Sequence, residues 1–363
     1  MILEVVGKRK MKLLILTQKI DQNDGVLSFM IGWIKAFAAT CEHVTVIALT
    51  VGEYDLPANV TVYSLGKEHR ESRFLYLKNF YHYIWKERKN YDSVFVHMNT
   101  VYIIFGGLFW RVFGKRVVLW YAHGRVSWDL YLATYFSHTV LTSSPSGYRI
   151  TTPKRAIVGQ GINTELFTFR ERTIDEHQSL RLCIIGRISP TKDYETLLRA
   201  FAVLVNEKGM RLQLDIVGGA GAPDQESYVE HIQQLTCELG VDMFVTFYGP
   251  KPHHETVAYL HDSAIFVSTA TNGSFDKAMG DAMSTGLPVV ACNDAMREVF
   301  GALSPQLMFP KGDSEALVRV LTPLIHMTQH ERNQLGQKMR ELIERDHSLS
   351  ALIGKIMPYF SSK

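Results

Sequence analysis

The feature that most constrains this chain is a train of short runs rich in Val, Ile, Leu, Thr and aromatic residues, broken once and then resumed. "KLLILT", "VTVIAL", "VTVYSL", "DSVFVH", "RVVLWYA" and "HTVLTSS" fill the first part, each giving way to a polar turn or to helical spacing. β-Branched and aromatic residues suit a pleated surface, and strands that alternate with helices predict a parallel sheet with crossover connections. After "KRAIVGQGINTELF" the pattern restarts with "LRLCIIG", "LQLDIVG", "MFVTFYG", "AIFVST", "LPVVAC" and "QLMFP", each read as a strand of a second α/β unit. A chain of 363 residues exceeds one ordinary core, so two domains are expected, at 1–165 and 166–340. The stretch "ELFTFRERTIDEHQS" between the trains is polar and without period, and is read as the hinge. The tail "RELIERDHSLSALIGKIMPYF" is helical by spacing, with Leu342, Leu349, Leu352, Ile353 and Ile356 available to one face.

Two doubly wound domains that face each other bring the carboxyl ends of both sheets into one cleft, where open parallel sheets bind ligands. The formal net charge of +3 does not demand nucleic acid as a partner, and leaves an acidic small molecule or an anionic membrane surface open. Cys41, Cys183, Cys237 and Cys292 are far apart and form no CxxC, and three of them lie in apolar or helical patterns, so reduced core thiols in a reducing compartment are expected. The most hydrophobic stretch, "TVYIIFGGLFWRVFG", is interrupted by Thr100 and Arg111 and is too short to span a bilayer. At the start, "MILEVVGKRKMKLLILTQ" places its basic residues after its short apolar run, the wrong order for a secretion leader. A cytoplasmic location is expected.

The chemistry concentrates in a few places. In "IIGRISPTKDYETLLRAFAVL" a strand ends at Gly186, Arg187 and Lys192 bracket a Ser-Pro turn, and Asp193 opens an amphipathic helix. Two cations beside a helix N-terminus form an anion site, because fixed charge, dipole and free N–H groups all favour a phosphate. In "NGSFDKAMGDAMSTGLPVVACND" Ser274 is placed to cap a helix, and Asp281 stands inside it, at a position poor for an acid on propensity. Either Asp281 is a solvated surface acid or its carboxylate accepts from a diol lying across the helix start. Gly280 beside it reads as a close-approach position.

In "LWYAHGRVS" His123 follows a buried strand, at the predicted cleft or as a satisfied structural residue. Asp24 and Gly25, in "TQKIDQNDGVLSFM", form either an ordinary turn or a place where backbone approaches a substrate. No Asp-x-Asp occurs, and the pair His253–His254 lacks the spacing of a metal site, so no metal is expected. There is no Ser-His-Asp elbow or phosphate loop ending in Lys-Ser/Thr, and the glycine-rich "VGGAGAPD" lacks a dinucleotide fingerprint.

On "GRISPTKDYETLLRAF", "GQGINTELF", "FYGPKPHHETVAYLHDSAIFVSTA" and "GSFDKAMGDAMSTGLPVVA" the chain resembles the family-4 retaining glycosyltransferases, of the two-domain GT-B fold, over nearly its whole length. The resemblance implies that the 341–363 tail crosses back to the first domain as a helix. It implies a nucleotide-diphosphate sugar as donor substrate, no further cofactor, and a glycan, lipid-linked or other hydroxyl acceptor. By the same resemblance Gly186, Arg187 and Lys192 hold the diphosphate, Gly273, Ser274, Phe275 and Asp276 lie near the sugar, and Asp281 takes the ribose. His123 then stands near the transferred sugar and, with Arg187 and Lys192, takes part in catalysis, while Asp24 and Gly25 lie on the acceptor side. The family's paired glutamates, eight residues apart, are here Gly273 and Asp281.

A nucleotide-sugar epimerase and a binding-only relative that has lost the first motif acid are the rival readings. The basic stretch 67–89, with Phe74, Leu77, Tyr81 and Ile84 expected on one face, either packs on the sheet or lies against an anionic membrane. Relatives with lipid-linked acceptors give the membrane reading its interest.

Overall fold

The structure is a computed structural model that describes residues 10–173, 179–221, 225–271 and 275–361. In the first domain the chain runs through β1 (Lys12–Ile20), α1 (Phe29–Thr40), β2 (His43–Val51), β3 (Val60–Ser64), α2 (Arg73–Lys86) and β4 (Ser93–His97). It continues through α3 (Thr100–Val112), β5 (Arg116–Trp120), α4 (Trp128–Phe136), β6 (Thr139–Thr142) and β7 (Arg155–Ile157). All pairings are parallel, in the order β3-β2-β1-β4-β5-β6-β7. Strands β4 and β6 are buried at every residue, as a sheet covered on both faces requires.

The second domain contains β8 (Leu180–Ile185), α5 (Tyr194–Ala202), β9 (Leu212–Val217), α6 (Glu226–Glu238), β10 (Val245–Gly249), α7 (Thr256–His261) and β11 (Ile265–Ser268). It then forms α8 (Lys277–Ser284), β12 (Val289–Ala291), α9 (Ala295–Phe300), α10 (Ser304–Leu307), α11 (Ser314–His326) and α12 (Gln329–Asp346). Its parallel sheet has the order β10-β9-β8-β11-β12. A last helix, α13 (Leu349–Ile356), leaves this domain altogether.

In the first domain the two sheet faces carry separate cores. Helices α2, α3 and α4 cover one face through Phe80, Ile84, Tyr102, Ile103, Trp110, Leu130 and Ala133. Helix α1 covers the other with Trp33, Ile34 and Phe37, joined there by Leu352, Ile353 and Ile356 of α13 and by Phe360. The return is fixed by backbone as well as packing: Phe360 O accepts from Ser93 Oγ at 2.7 Å, and Tyr359 O from Arg116 Nε at 2.6 Å.

The chain therefore crosses between domains twice, and the crossings touch. Ile162 N–H donates to His347 O at 2.8 Å, and Leu349 N–H donates to Ile162 O at 2.7 Å. At Gly159, with φ of 92°, a Cβ would stand 2.3 Å from Asp346 O, so only glycine lets the strands lie this close.

Several expectations need correction. The chain passes between the domains at this pair of crossings rather than in "ELFTFRERTIDEHQS", because residues beyond Ile162 are anchored to the second domain. Phe167 is fully buried there, and the Arg172 guanidinium donates to the carbonyls of Ser263, Leu260, Thr285 and Gly286. Residues 174–178 of that stretch lie outside the described residues. The span 341–363 is not one returning helix: α12 continues to Asp346 on the second domain, and α13 starts afresh with Ser348 as its N-cap. "QLMFP" forms no strand, only a bridge from Met308 to Ala291 after a short helix. Cys41, Cys183 and Cys292 are buried free thiols, but Cys237 is exposed on α6. On α2 the expected Leu77 and Ile84 do pack toward the sheet, together with Phe80, while the expected Phe74 and Tyr81 are 77% and 41% exposed.

Candidate functional site

The carboxyl ends of β8 and β9 form the floor of the site. Gly186 and Gly218 each leave their strand with φ of 151°, and a Cβ on Gly218 would fall 1.8 Å from Gly186 O. Glycine at 218 is thus what lets the strand ends approach and leaves room above them. That room is a cavity of about 460 Å³. Gly186, Arg187, Lys192, Phe275, Asp276, Lys277 and Asp281 of the second domain line it, and Gly25 and Phe29 of the first close it from across the cleft.

Of the two expected cations, Arg187 is exposed and makes no hydrogen bond or ion pair with any described residue. Lys192 differs: its ammonium is paired with the Asp276 carboxylate, both side chains being mostly buried. Asp276 is also the N-cap of α8, its Oδ1 accepting from Ala278 N–H at 3.2 Å. The cap is therefore Asp276 and not Ser274, which, with Gly273, lies outside the described residues. Asp193 caps α5 as expected, in a left-handed conformation, accepting from Thr196 N–H at 3.3 Å. Sequence reading could not foresee the Lys192–Asp276 pair, because the two residues are 84 positions apart.

Asp281 is not a solvated surface acid. It is 3% exposed, its Oδ2 lies 2.7 Å from His253 Nε2, and its buried Oδ1 has no hydrogen-bond partner among the described residues. An unsatisfied carboxylate oxygen is costly to bury, so a site beside a cavity suits a ligand that donates to it. His253 was set aside in the sequence as part of a non-metal pair; its position just past β10, the neighbouring strand end, was the available clue. Its ring packs on Phe167, with centroids 4.9 Å apart. Gly280 is a close-approach position for the crossing segment rather than for a ligand: a Cβ there would stand 2.5 Å from Ile162 Cδ1. Phe275 is buried, with its ring stacked on His347 at 4.9 Å.

Lys277, the first residue of α8, escaped the sequence reading. Its ammonium lies 3.9 Å from the centroid of Phe29 and 5.5 Å from that of Trp33, so a cation of the second domain rests on aromatic rings of the first. Burial pushes its pKa down to about 8 despite the pull of Asp281. His97, at the end of β4, packs edge-on against the same two rings, and burial, aided by Lys277, pushes its pKa down to about 3.

The acceptor-side candidates divide. Gly25 faces the second domain, where a Cβ would lie 3.7 Å from Lys251 O. Asp24 serves its own loop: it accepts from the N–H groups of Val26 and Leu27 and from Lys19 Nζ at 2.8 Å. Burial raises its pKa, yet Lys19 and those N–H groups outweigh this and hold it below the usual value. His123 is at the carboxyl edge of β5, but it is exposed and stands apart from the cavity lining. Its Nδ1 accepts from Arg125 N–H at 3.2 Å, which turns the ring back on its own loop.

Two facing doubly wound domains with a helix returning to the first define the GT-B architecture. The chain matches the structure of Anabaena HepE in complex with UDP and glucose over 97% of its length and 100% of that chain, with a TM-score of 0.77 at 15% identity. Its likeness to sucrose-phosphate synthase from Thermosynechococcus elongatus has a TM-score of 0.76 at 17% identity, covering 95% and 97% of the two chains. At such identities the likeness is one of fold. The sequence adds a match of residues 168–342 to the family described as glycosyl transferases group 1.

A D-inositol 3-phosphate glycosyltransferase of Corynebacterium efficiens is 33% identical over 123 residues, which are 34% of this chain and 28% of that protein. The human GDP-Man:Man(3)GlcNAc(2)-PP-Dol alpha-1,2-mannosyltransferase is 26% identical over 177 residues, 45% of this chain and 35% of that protein. The matched stretches thus span about a third of the length of these curated relatives.

Proposed function

We propose that the protein is a glycosyltransferase that moves a sugar from a nucleoside-diphosphate sugar to a glycan, lipid-linked or other hydroxyl acceptor, in the cytoplasm, with retention and without a metal ion. The observation that carries this reading is the pairing of a buried, half-satisfied carboxylate, Asp281, with the cations Arg187 and Lys192 around one cavity in a group 1 glycosyltransferase domain. A carboxylate suits a ribose diol, and the cations suit a diphosphate. As the glycosidic C–O bond breaks, its electron pair goes to the β-phosphate, and the two cations meet that growing charge. The leaving phosphate then accepts the proton of the acceptor hydroxyl as the new C–O bond forms on the same face. Retention rests on the resemblance of "GRISPTKDYETLLRAF" and its companion motifs to the retaining family. The metal-free reading is supported by the cations Arg187 and Lys192 at the diphosphate position.

The test is a panel of UDP-, GDP- and ADP-sugars, read first as thermal shift and then as transfer to glycan and lipid-linked acceptors in the presence of a chelator. A donor at about 100 times its Kd stabilises by about 2.7 kcal/mol. Expected are one stabilising donor and an axial or equatorial product that keeps the donor's configuration. A strict divalent-metal requirement contradicts the charge argument, and net epimerised sugar without acceptor favours an epimerase. Binding without hydrolysis or transfer across the panel leaves a binding-only relative.

The Lys192–Asp276 pair yields a further expectation. A diphosphate entering the site must share Lys192 with a carboxylate, and like charges at that range oppose each other. Asp276→Asn keeps an oxygen to cap α8 while removing the charge. The free nucleoside diphosphate should bind the variant about tenfold more tightly in calorimetry, equivalent to about 1.4 kcal/mol. Weaker binding would mean that Asp276 orients Lys192 for the ligand rather than competing for it.

A further inference from the structure

The outer surface of the first domain, on the face remote from α13, carries more exposed apolar area than its core explains. Helix α3 turns Tyr102, Ile103 and Trp110 inward, yet Val101, Phe105, Leu108 and Val112 form a second, outward stripe, 44% to 74% exposed. Their spacing of four, three and four residues is that of one helix face. On its flanks α4 presents Trp128, Tyr131 and Tyr135, 57% to 75% exposed, and α2 presents Phe74, Tyr81 and Trp85.

The three stripes adjoin. Trp85 of α2 meets Phe113, just past α3, with centroids 5.7 Å apart, and Tyr81 Oη donates to Phe105 O at 3.0 Å. On the other side Arg111 of α3 lies over the Tyr135 ring of α4, 5.3 Å from its centroid. A soluble surface rarely leaves so many large apolar side chains together without a partner.

Charge decides between occupants. The sequences of the three helices contain Arg73, Lys78, Lys86 and Arg111 against one acid, Asp129, which already accepts from Thr100 Oγ1 at 2.5 Å. A second copy seated on this face by two-fold symmetry would bring cations to cations with a single carboxylate per copy, Asp129, to set against them. An anionic bilayer supplies phosphates to the Lys and Arg side chains, and its interface accommodates Trp and Tyr. No helix among the described residues is long and apolar enough to cross a membrane, so the contact is one of lying on the surface.

We propose that the α2–α3–α4 face is a docking surface for an anionic lipid bilayer, with Leu108, Val112 and Trp128 inserted into the interface and the cations set around them. This is a broader surface than the 67–89 stretch alone, and its centre is α3. The placement puts the N-termini of α3 and α4, at the carboxyl edge of the sheet, in the contact, so the mouth of the cleft stands beside the lipid. The inference concerns surface chemistry and holds whatever group the cleft transfers.

The test is flotation of the whole protein with vesicles of phosphatidylcholine alone and of phosphatidylcholine with roughly a third phosphatidylglycerol, without any sugar donor. The protein should float with the anionic vesicles, and much less with the neutral ones. The triple variant Leu108→Ser, Val112→Ser, Trp128→Ser changes exposed side chains only, so its melting curve should match the wild type while its partition into anionic vesicles falls at least tenfold. Arg73→Gln with Lys78→Gln should weaken binding and flatten its salt dependence. Equal recovery of wild type in the supernatant with every vesicle at low salt overturns the proposal. So does wild-type flotation by the triple variant, and so does a wild-type dimer in sedimentation that the triple variant converts to monomer, which would assign the face to self-association.

Discussion

Arg187→Ala is expected to slow sugar transfer about a hundredfold, equivalent to about 3 kcal/mol in the barrier, with an unchanged melting curve. The argument for the rate is electrostatic: the diphosphate gains negative charge as the glycosidic bond breaks, and a fixed cation at the strand end gains interaction with it. The argument for the unchanged fold is structural, since Arg187 is exposed and holds no described residue by hydrogen bond or ion pair. Lys192→Ala should cost a similar factor in rate but should also lower the melting temperature. It strands the Asp276 carboxylate, whose side chain is 15% exposed, without its partner. Near-wild-type turnover in Arg187→Ala would remove the diphosphate assignment. Equal thermal stability of both variants would mean that the Lys192–Asp276 pair is of no structural consequence.

The second large effect is expected at Asp281. Ribose does not change during transfer, so its contact contributes equally to ground and transition states. Asp281→Ala should therefore lose roughly 1.5 to 3 kcal/mol of nucleotide affinity and raise the donor KM about tenfold to 150-fold, with kcat little changed. Because Oδ2 is already engaged by His253, the oxygen free for the ligand is Oδ1, so one strong hydrogen bond is at stake rather than a symmetric clamp. His253→Ala separates the two roles: it should raise KM less than Asp281→Ala, through loss of the carboxylate's orientation. Collapsed kcat with unaltered KM in Asp281→Ala would place this acid on the reacting bond instead.

What the sequence made legible follows the range of the forces involved. Strands such as "KLLILT" and "LRLCIIG" could be read because their burial on both faces is written into consecutive residues. Gly186, Arg187 and Lys192 could be read because a strand end, a turn and a helix start lie within one short segment. Lys277 could not, since what marks it is a pair of aromatic rings of α1, on the other side of the cleft. His253 was hidden for the same reason, its partner Asp281 being 28 residues away. The strand "QLMFP" was misread from local composition, and of the apolar face assigned to α2 only Leu77 and Ile84 turn inward. In the first case a helix ends one residue before Met308, and in the second both stripes of an amphipathic helix are apolar, so periodicity alone does not say which faces inward.

The return of α13 to the first domain has a consequence for biosynthesis. Domains generally fold as units, the N-terminal one first, as the chain leaves the ribosome. Here that order is reversed. Trp33, Ile34 and Phe37 of α1 share their core with residues 352–360, which are translated only after everything from β8 to α12. The second half can close its sheet while the first still shows an uncovered aromatic face to its surroundings. The first domain, made before the second, is thus the one that must be kept from aggregating longer, and a ribosome stalled after α12 would release a finished second domain attached to an unfinished first.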